Sequence, residues 1–290
     1  LQPVSVATDI SYGRTEDGSS SFERLHSSTP AASNNISNNI IFSHNSGFYA
    51  NTINLSMTSS NGDLIYYTTD GTDPTVSSQL YTTPLIMGSL MSVPDVISNL
   101  STSPYWVAPT SDNFKANIIK AASFSGGVMN SNIYHKTIFV DSDTNSRYSD
   151  FNVLSIITPP SNLFDHDTGI YVMGVNYLSS NVVWSGNYFQ KGELWERLGN
   201  IEYFDKQGDL LFEQNVGLRT HGGKGRNLPQ KSLRLYSRSE YGAPRINYPI
   251  LDHKTERVFS RLIIRNILSC WNKSVIKDEC TAYISRNLNF

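Results

Sequence analysis

The chain has 290 residues, enough for two domains or for three small ones. Hydrophobic residues make up 39% and charged residues 17%, so cores can form beneath a surface that is polar rather than charged. The net charge of −2 excludes a bulk polyanion binder, and we expect no nucleic-acid partner.

The charge is unevenly distributed along the chain. Residues 1–185 carry 14 acidic and 6 basic side chains, whereas residues 186–290 carry 11 acidic and 17 basic ones. The C-terminal third is therefore chemically distinct, and its positive charge favours an anionic ligand.

The two cysteines, Cys270 and Cys280, provide no disulfide scaffold. Ten residues apart on one helix, they would be separated by about 15 Å, too far for a bridge. No apolar run approaches the roughly 18 residues of a spanning helix. The sequence opens without an initiator Met or a signal peptide, so we expect a fragment or a mature chain cut from a longer one.

The first 140 residues predict β structure. Residues 1–36 have the pattern of the end of a β domain, with a turn at Asp17-Gly18, followed by a small-residue linker. Residues 37–140 predict an immunoglobulin-like β-sandwich, because short strands such as 53–57, 64–69, 114–124 and 131–140 alternate with turn signals.

A polar stretch at residues 141–150 marks the clearest boundary, and residues 151–290 predict an α+β domain. Strands are expected at 153–157, 200–204, 210–220, 231–238 and within 257–265. Residues 272–288 lack Gly and Pro and have helical spacing, so they are the one good helix candidate.

The sharpest candidate site is the glycine- and base-rich stretch 221–232, between two predicted strands. Gly222 and Gly223 allow close backbone approach to a ligand, and Arg226 and Lys231 add positive charge, which suits a nucleotide phosphate. The spacing differs from that of a Walker loop and from the usual kinase glycine loop. The alternative is an exposed hairpin loop with solvated basic residues.

Two acidic features have both a functional and a structural interpretation. Asp278 and Glu279, on the predicted terminal helix, are candidate partners for a strand lysine, as in kinase-like sites, or are plain surface acids. Asp70 and Asp73 suggest calcium, but one short loop supplies too few oxygens, so a structural turn is the better prediction.

Aromatic and histidine residues give no catalytic pattern. Trp184, Trp195 and the pair Tyr66-Tyr67 are candidates for stacking on sugar rings, against the alternative of core packing. The six histidines are scattered and no HExxH, CxxC or GxSxG occurs, so we identify no metal ligands and no catalytic residues.

Several motifs in residues 151–290 resemble, in order, the N-terminal half of the CotH spore-coat-kinase family. They are the strings at 152–158, 162–165, 168–172, 195–197, 201–205, 217–223, 229–236 and 264–266. The middle module is similar to the C-terminal β-sandwich of chitobiase and β-hexosaminidase enzymes, through residues 65–75, 80–81 and 84–85. Residues 1–36 resemble the end of a lamin-tail-like β domain, through 12–14, 17–18 and 28–34.

The CotH resemblance implies an atypical kinase N-lobe that uses ATP with Mg²⁺ or Mn²⁺ to phosphorylate Ser on an extracellular protein. Lys231 would be the nucleotide lysine, and Gly222, Gly223 and Arg226 the loop over the phosphates. The family's metal-binding and catalytic aspartates lie further along than Phe290, so we predict an inactive half. The family often has Ser where this chain has Gly225, and a Gly-rich turn where 267–271 stand.

Such module combinations imply a secreted or cell-surface bacterial protein. The rival hypothesis is a non-enzymatic surface binding or adhesion protein, whose sandwich is a spacer or contacts cell-wall glycan. A glycosidase accessory module is a third interpretation, based on the sandwich alone.

Overall fold

The computed structural model describes residues 39–143, 147–250 and 256–266, together with the backbone of two strands near the N-terminus. These strands, β1 (Ser11–Arg14) and β2 (Phe22–Leu25), pair as an antiparallel ladder with Ser11 opposite Leu25. The prediction of β structure in this part of the chain is confirmed for these two strands, and the predicted turn at Asp17-Gly18 lies outside the described residues. The lamin-tail resemblance stays a prediction.

Residues 40–140 form a β-sandwich, as predicted. One layer is a six-stranded sheet in the order β4-β12-β10-β7-β8, with β11 paired to β10. The other is made of two ladders, β3 with β6 and β5 with β9. The strands are β3 Ile40–Phe42, β4 Gly47–Tyr49, β5 Ile53–Leu55, β6 Met57–Ser59, β7 Leu64–Thr68, β8 Gln79–Leu80, β9 Leu85–Met87, β10 Asn117–Ser125, β11 Val128–Met129 and β12 Tyr134–Val140.

Alternation along the strands builds the sandwich core. Leu55, Ile119 and Ile138 are fully buried, and they pack together with side chains from both layers. Because successive side chains of a strand point to opposite faces, the intervening residues of β12 face away from this core. Those residues, His135, Thr137 and Phe139, face the second module.

The second module is a five-stranded sheet in the order β13-β14-β15-β16-β19, antiparallel at every pairing. Its strands are β13 Val153–Ile157, β14 Arg197–Phe204, β15 Leu210–His221, β16 Ser232–Tyr236 and β19 Arg261–Ile264, and a small ladder joins β17 Ile246–Asn247 to β18 Val258–Phe259. One face packs against its own core, which includes Ile170, Ile201 and Leu218.

The helical elements are short. In the described ranges they include the one-turn α-helix Pro160–Phe164 and the 3₁₀ turns Ile97–Asn99, Ser179–Asn181, Asn187–Phe189, Glu193–Trp195 and Lys224–Asn227. None of the helices in the described ranges is long and apolar enough to cross a membrane. The predicted helix at 272–288, with Asp278 and Glu279, lies outside the described residues, as do both cysteines.

Two strand predictions needed adjustment, whereas the strand predicted within 257–265 is confirmed as β19. The predicted strand 53–57 is divided at Ser56, so that Ile53–Leu55 pairs with β9 while Met57–Ser59 pairs with β3. Lys231 lies just before β16 rather than within it, because the ladder to β15 begins at Ser232.

The five-stranded sheet has its own core on one face, and the sandwich packs against the opposite face. Phe139 contacts Phe48 and Phe204 edge to face, with ring centroids 5.2 and 5.7 Å apart. Tyr148, from the predicted linker 141–150, joins the same cluster. Gly208, in the turn after β14, has a φ of +89° and lies so close to Phe48 that a Cβ would clash with the ring.

Candidate functional site

The glycines of the predicted phosphate loop lie on the surface. Gly222 and Gly223 follow β15 and are exposed. Gly222 has a φ of +108°, a conformation that favours glycine, and a Cβ at either position would meet nothing within 4 Å. The space above this turn is open to a ligand.

Arg226 holds the loop together. Its Nε donates to Gly222 O at 2.6 Å, and its Nη1 donates to the carbonyls of Tyr188 (3.3 Å) and Phe189 (3.2 Å). The guanidinium lies over the Phe189 ring, 5.2 Å from the centroid. The alternative of solvated basic residues is therefore wrong for Arg226, which is 8% exposed.

Lys231 is also buried, with 4% of its surface exposed. Its Nζ donates to Leu228 O at 2.8 Å and to Thr102 O, which the sandwich contributes, at 2.9 Å. The ammonium lies over the rings of Tyr171 and Tyr188, 4.7 and 4.6 Å from the centroids. The solvated interpretation is thus wrong for Lys231 as well.

Burial lowers the pKa of Lys231 from 10.5 to about 7, and burial is the cause of the shift. No carboxylate among the described residues offsets it. The acids expected to pair with this lysine, Asp278 and Glu279, lie outside the described part of the chain. A buried lysine without a counter-charge is a feature of functional sites more often than of plain cores.

Several buried polar atoms near Lys231 lack a hydrogen-bond partner among the described residues. They are Thr102 Oγ1, Tyr188 Oη and both amide atoms of Asn227. Native proteins leave few such groups unsatisfied, and those that occur point to a bound molecule or to ordered water. Asn227 is fully buried, and its backbone carbonyl oxygen accepts a hydrogen bond from Ser103 Oγ at 2.6 Å.

A cavity of about 340 Å³ is lined by Thr102 and Tyr171, which contact Lys231, whereas Lys231 itself does not line it. Two further unpartnered groups, Ser98 Oγ and Trp106 Nε1, belong to residues that line it. The remaining lining residues are mostly apolar and come from both modules: Ile97, Leu100, Thr102, Phe164, Tyr171, Pro229 and Gln230. An apolar pocket with a few convergent polar groups is typical of small-molecule sites.

The surroundings of the loop are basic. The pKa of His221 is lowered, first by burial and then by Arg234, Arg226 and Arg265. These charges lie near the open glycine turn, so an anion at this edge would be stabilised.

Sequence reasoning missed the residues of this site that the sandwich supplies. Segment 88–116, between β9 and β10, has no regular periodicity, and it brings Thr102 to Lys231 and Trp106 to the cavity. Nothing in the local sequence predicts a contact across 129 residues. Tyr188 and Asn227 also carried no recognisable pattern.

The other predicted features have structural roles. Asp70 accepts from the backbone N and hydroxyl of Thr72, at 3.0 and 2.6 Å, and Asp73 pairs with Lys120 at 2.7 Å, as expected of a structural turn. Tyr67 packs against the sandwich core, and Trp195 against the core of the sheet.

Two of the candidate stacking aromatics lie nearer the surface. Tyr66 is half-buried and makes an edge contact with Phe124, with centroids 5.2 Å apart. Trp184 is 56% exposed.

A second cleft separates the two modules. It has a volume of about 340 Å³. Its lining is largely polar and includes Asp73, Lys120, Asn132, His135, Asn200, Glu213, Gln214, Asn215 and Tyr241. Amide and carboxylate side chains of this kind can hydrogen-bond hydroxyl-rich ligands or hold a cation.

The comparisons with known proteins agree with part of this picture. No curated protein matches the chain, and no solved structure matches it. Residues 44–134, the larger part of the sandwich, match the family described as the chitobiase/β-hexosaminidase C-terminal domain.

Proposed function

We propose that residues 151–290 are the nucleotide-holding half of a CotH-like, ATP-dependent protein Ser kinase of the bacterial surface or exterior. The observation that carries this proposal is the buried Lys231, which no described carboxylate offsets and whose contacts Thr102 and Tyr171 line a cavity with aromatic walls. The catalytic groups would come from elsewhere in the intact protein, and an extracellular protein would be the substrate.

The chemistry of the pocket suits a nucleotide. A phosphate would supply the negative charge that Lys231 lacks, and charge-assisted hydrogen bonds of this kind are the strong ones. Trp106, Phe164 and Tyr171 provide aromatic surface for a planar base. Because no described carboxylate lies beside Lys231, the described residues at this site do not fit Mg²⁺ or Mn²⁺.

The test is ATP binding to the chain, measured by isothermal titration calorimetry. Lys231→Met should weaken ATP binding at least tenfold, because it removes the buried cation while keeping the length of the side chain. The matched control is Lys224→Met, which changes an exposed lysine of the same loop and should leave affinity within about twofold. Failure of the wild-type chain to bind ATP, or unchanged binding by Lys231→Met, would refute the proposal.

The pH dependence of the free energy of unfolding shows whether the Lys231→Met variant folds. Because the folded-state pKa of Lys231 lies below the unfolded value, the wild-type chain bears the cost of a buried charge at pH 7 and below. That cost, roughly 5 kcal/mol for the shift from 10.5 to about 7, disappears as pH rises to 10.5. Without ATP, Lys231→Met should therefore be more stable than wild type at pH 6, with a smaller difference at pH 10.

A second candidate function is glycan binding in the cleft between the modules. Asn132, Asn200, Asn215 and Tyr241 line one open polar volume. The amides of Asn200 and Asn215 bond each other and the Tyr241 hydroxyl donates to Glu196, so a glycan would use the remaining donors and acceptors and the Tyr241 ring. The matched domain family is named after β-hexosaminidase, which makes hexosamine oligosaccharides the first ligands to try. Asn215→Ala should abolish their binding while Asn51→Ala, at an exposed position, should not; equal binding by both variants would exclude the cleft.

A further inference from the structure

Three ionisable side chains meet where β12 of the sandwich faces β14 and β15 of the sheet. They are His135, Glu202 and Glu213. Each offers one ligand atom, and these atoms all lie within 4.8 Å of one another. The group lies apart from Lys231, and the argument for it does not depend on the proposed function.

The two glutamates are directly opposite each other in adjacent strands, so their side chains share one face of the sheet. Like charges in such a pair are destabilising. Glu202 is fully buried, which increases the cost of its charge, whereas the Glu213 side chain is 47% exposed. Within the described ranges, no basic side chain makes an ion pair with Glu202 to offset this negative charge.

His135 points into the same group. Its side chain is 9% exposed, and Nε2 lies 4.0 Å from Glu213 Oε2, too far for a hydrogen bond. Nε2 is buried and has no hydrogen-bond partner among the residues described. An unpartnered imidazole nitrogen facing two carboxylates is the donor set that zinc and similar cations accept.

We propose that His135, Glu202 and Glu213 bind one divalent transition-metal cation, with Zn²⁺ as the representative ion, and that it links the sandwich to the sheet. Water from the adjoining cleft, which His135 and Glu213 line, completes the coordination. The imidazole favours Zn²⁺ over Ca²⁺ or Mg²⁺, which prefer oxygen ligands alone.

Hydrogen bonds around Glu202 support this role. Ser46 Oγ and Thr137 Oγ1 donate to its two carboxylate oxygens, and Thr137 Oγ1 also lies 2.9 Å from Ser155 Oγ. Donors of this kind fix the orientation of a ligating carboxylate. Each oxygen keeps a lone pair for a metal.

The charges that face the group are mixed. Lys136 adjoins His135 along β12, and Lys120 lies opposite His135 in the neighbouring strand β10. Lys120, which lines the cleft, is paired with Asp73 at 2.7 Å.

Ligand atoms about 2.1 Å from a tetrahedral ion are about 3.4 Å apart from one another. The three ligand atoms lie within 4.8 Å of one another, so binding requires a small inward movement, for which half-exposed Glu213 has room.

The test is Zn²⁺ binding to the full chain after EDTA treatment, by calorimetry, with Co²⁺ absorption as the readout of inner-sphere ligands. We expect one Zn²⁺ to bind per chain and the melting temperature to rise when Zn²⁺ is added. Bound Co²⁺ should give an intense visible absorption band, as expected of an ion with a low coordination number. Glu213→Gln and His135→Gln should each weaken Zn²⁺ binding at least tenfold. Glu213→Gln is the safer variant, because its site is half-exposed.

The matched control is His166→Gln. His166 is an exposed imidazole with Asp167 2.8 Å away, so it reproduces an imidazole–carboxylate contact outside the proposed site. It should leave Zn²⁺ affinity within about twofold of the wild-type value. The proposal is overturned if wild type binds neither Zn²⁺ nor Co²⁺, or if Glu213→Gln binds Zn²⁺ as tightly as His166→Gln does.

Discussion

One face of the five-stranded sheet carries two like-charged pairs, one acidic and one basic. Glu202 lies opposite Glu213 between β14 and β15, and Arg219 lies opposite Arg234 between β15 and β16. Glu213 and Arg219 are an even number of residues apart on β15, so the pairs share the face. Both arrangements are unfavourable in isolation.

The basic pair is compensated within the chain. Arg219 Nε lies 3.7 Å from Oε2 of Glu196, whose side chain is only 1% exposed. Both guanidiniums lie over the Tyr236 ring, 4.5 and 5.8 Å from its centroid, and both donate to its hydroxyl. An opposite charge and an aromatic face thus offset the repulsion.

The acidic pair has no comparable compensation. Glu202 receives hydroxyl hydrogen bonds, and its pKa is raised from 4.5 to about 7, chiefly by burial and also by Glu213. The difference between the arginine pair and the glutamate pair indicates that two like charges in adjacent strands require an opposite charge close by. The chain supplies it for the arginines, and we infer that a cation supplies it for the glutamates.

The largest expected effect comes from removing the compensation of the basic pair. Glu196→Gln deletes a buried carboxylate that contacts Arg219, Arg238 and Tyr241, and leaves two partly exposed guanidiniums without their opposite charge. We expect the free energy of unfolding to fall by about 3 kcal/mol in urea denaturation at pH 7, because only one partner of each pair is buried. This variant turns the basic pair into an uncompensated one.

Glu193→Gln is the control for that experiment. Glu193 also pairs with Arg238, at 3.0 Å, but its side chain is 55% exposed. Its loss should cost less than about 1 kcal/mol. Equal losses for the two variants would show that burial of Glu196 is unimportant for the pair.

The next effect concerns the pH dependence of the acidic pair. The folded-state pKa of Glu202 is above the unfolded value, so the folded chain holds this proton more tightly, and stability falls as pH rises from 4.5 to about 7. The loss attributable to Glu202 is roughly 3 kcal/mol. Glu202→Gln should lack this component, measured by urea denaturation in EDTA at pH 5 and pH 8.

Added Zn²⁺ should sharpen the same comparison. A bound cation stabilises the ionised carboxylate, so the wild-type chain should lose less stability on going from pH 5 to pH 8 when Zn²⁺ is present. Parallel pH profiles for wild type and Glu202→Gln in EDTA would contradict the assignment of the raised pKa.

The smallest expected effect is that of Tyr236→Phe. It keeps the ring over which the guanidiniums lie and removes the hydroxyl that accepts from both. We expect a loss of about 1–2 kcal/mol in the free energy of unfolding, since the hydrogen bonds involve charged donors. No change in stability would mean that the ring and Glu196 suffice.

Local patterns in the sequence predicted much of the fold. Alternation located strands such as 64–69 and 153–157, and turn residues located the hairpin between β14 and β15. The β-sandwich was predicted from short strands and confirmed by the family match over residues 44–134. These features depend on neighbouring residues, so a single sequence contains them.

Interpretation of the candidate site was less complete. Gly222, Gly223, Arg226 and Lys231 lie in the segment between β15 and β16, and their role as a phosphate site stays a prediction; the burial of Arg226 and Lys231 was not foreseen. A hydrophilic loop predicts solvent exposure unless a distant segment covers it. Thr102 of segment 88–116 covers Lys231, and Tyr188 and Phe189 cover Arg226, so both contacts depend on tertiary packing.

The sequence by itself determined the strands, the order of modules and the basic character of the C-terminal third. Only the tertiary structure decided that His135 meets Glu202 and Glu213, residues 67 or more positions away along the chain. The physical reason is that strand periodicity sets which face a side chain occupies, whereas packing between sheets sets which face it meets. Whether a charged side chain meets an opposite charge therefore depends on the packing between the sheets.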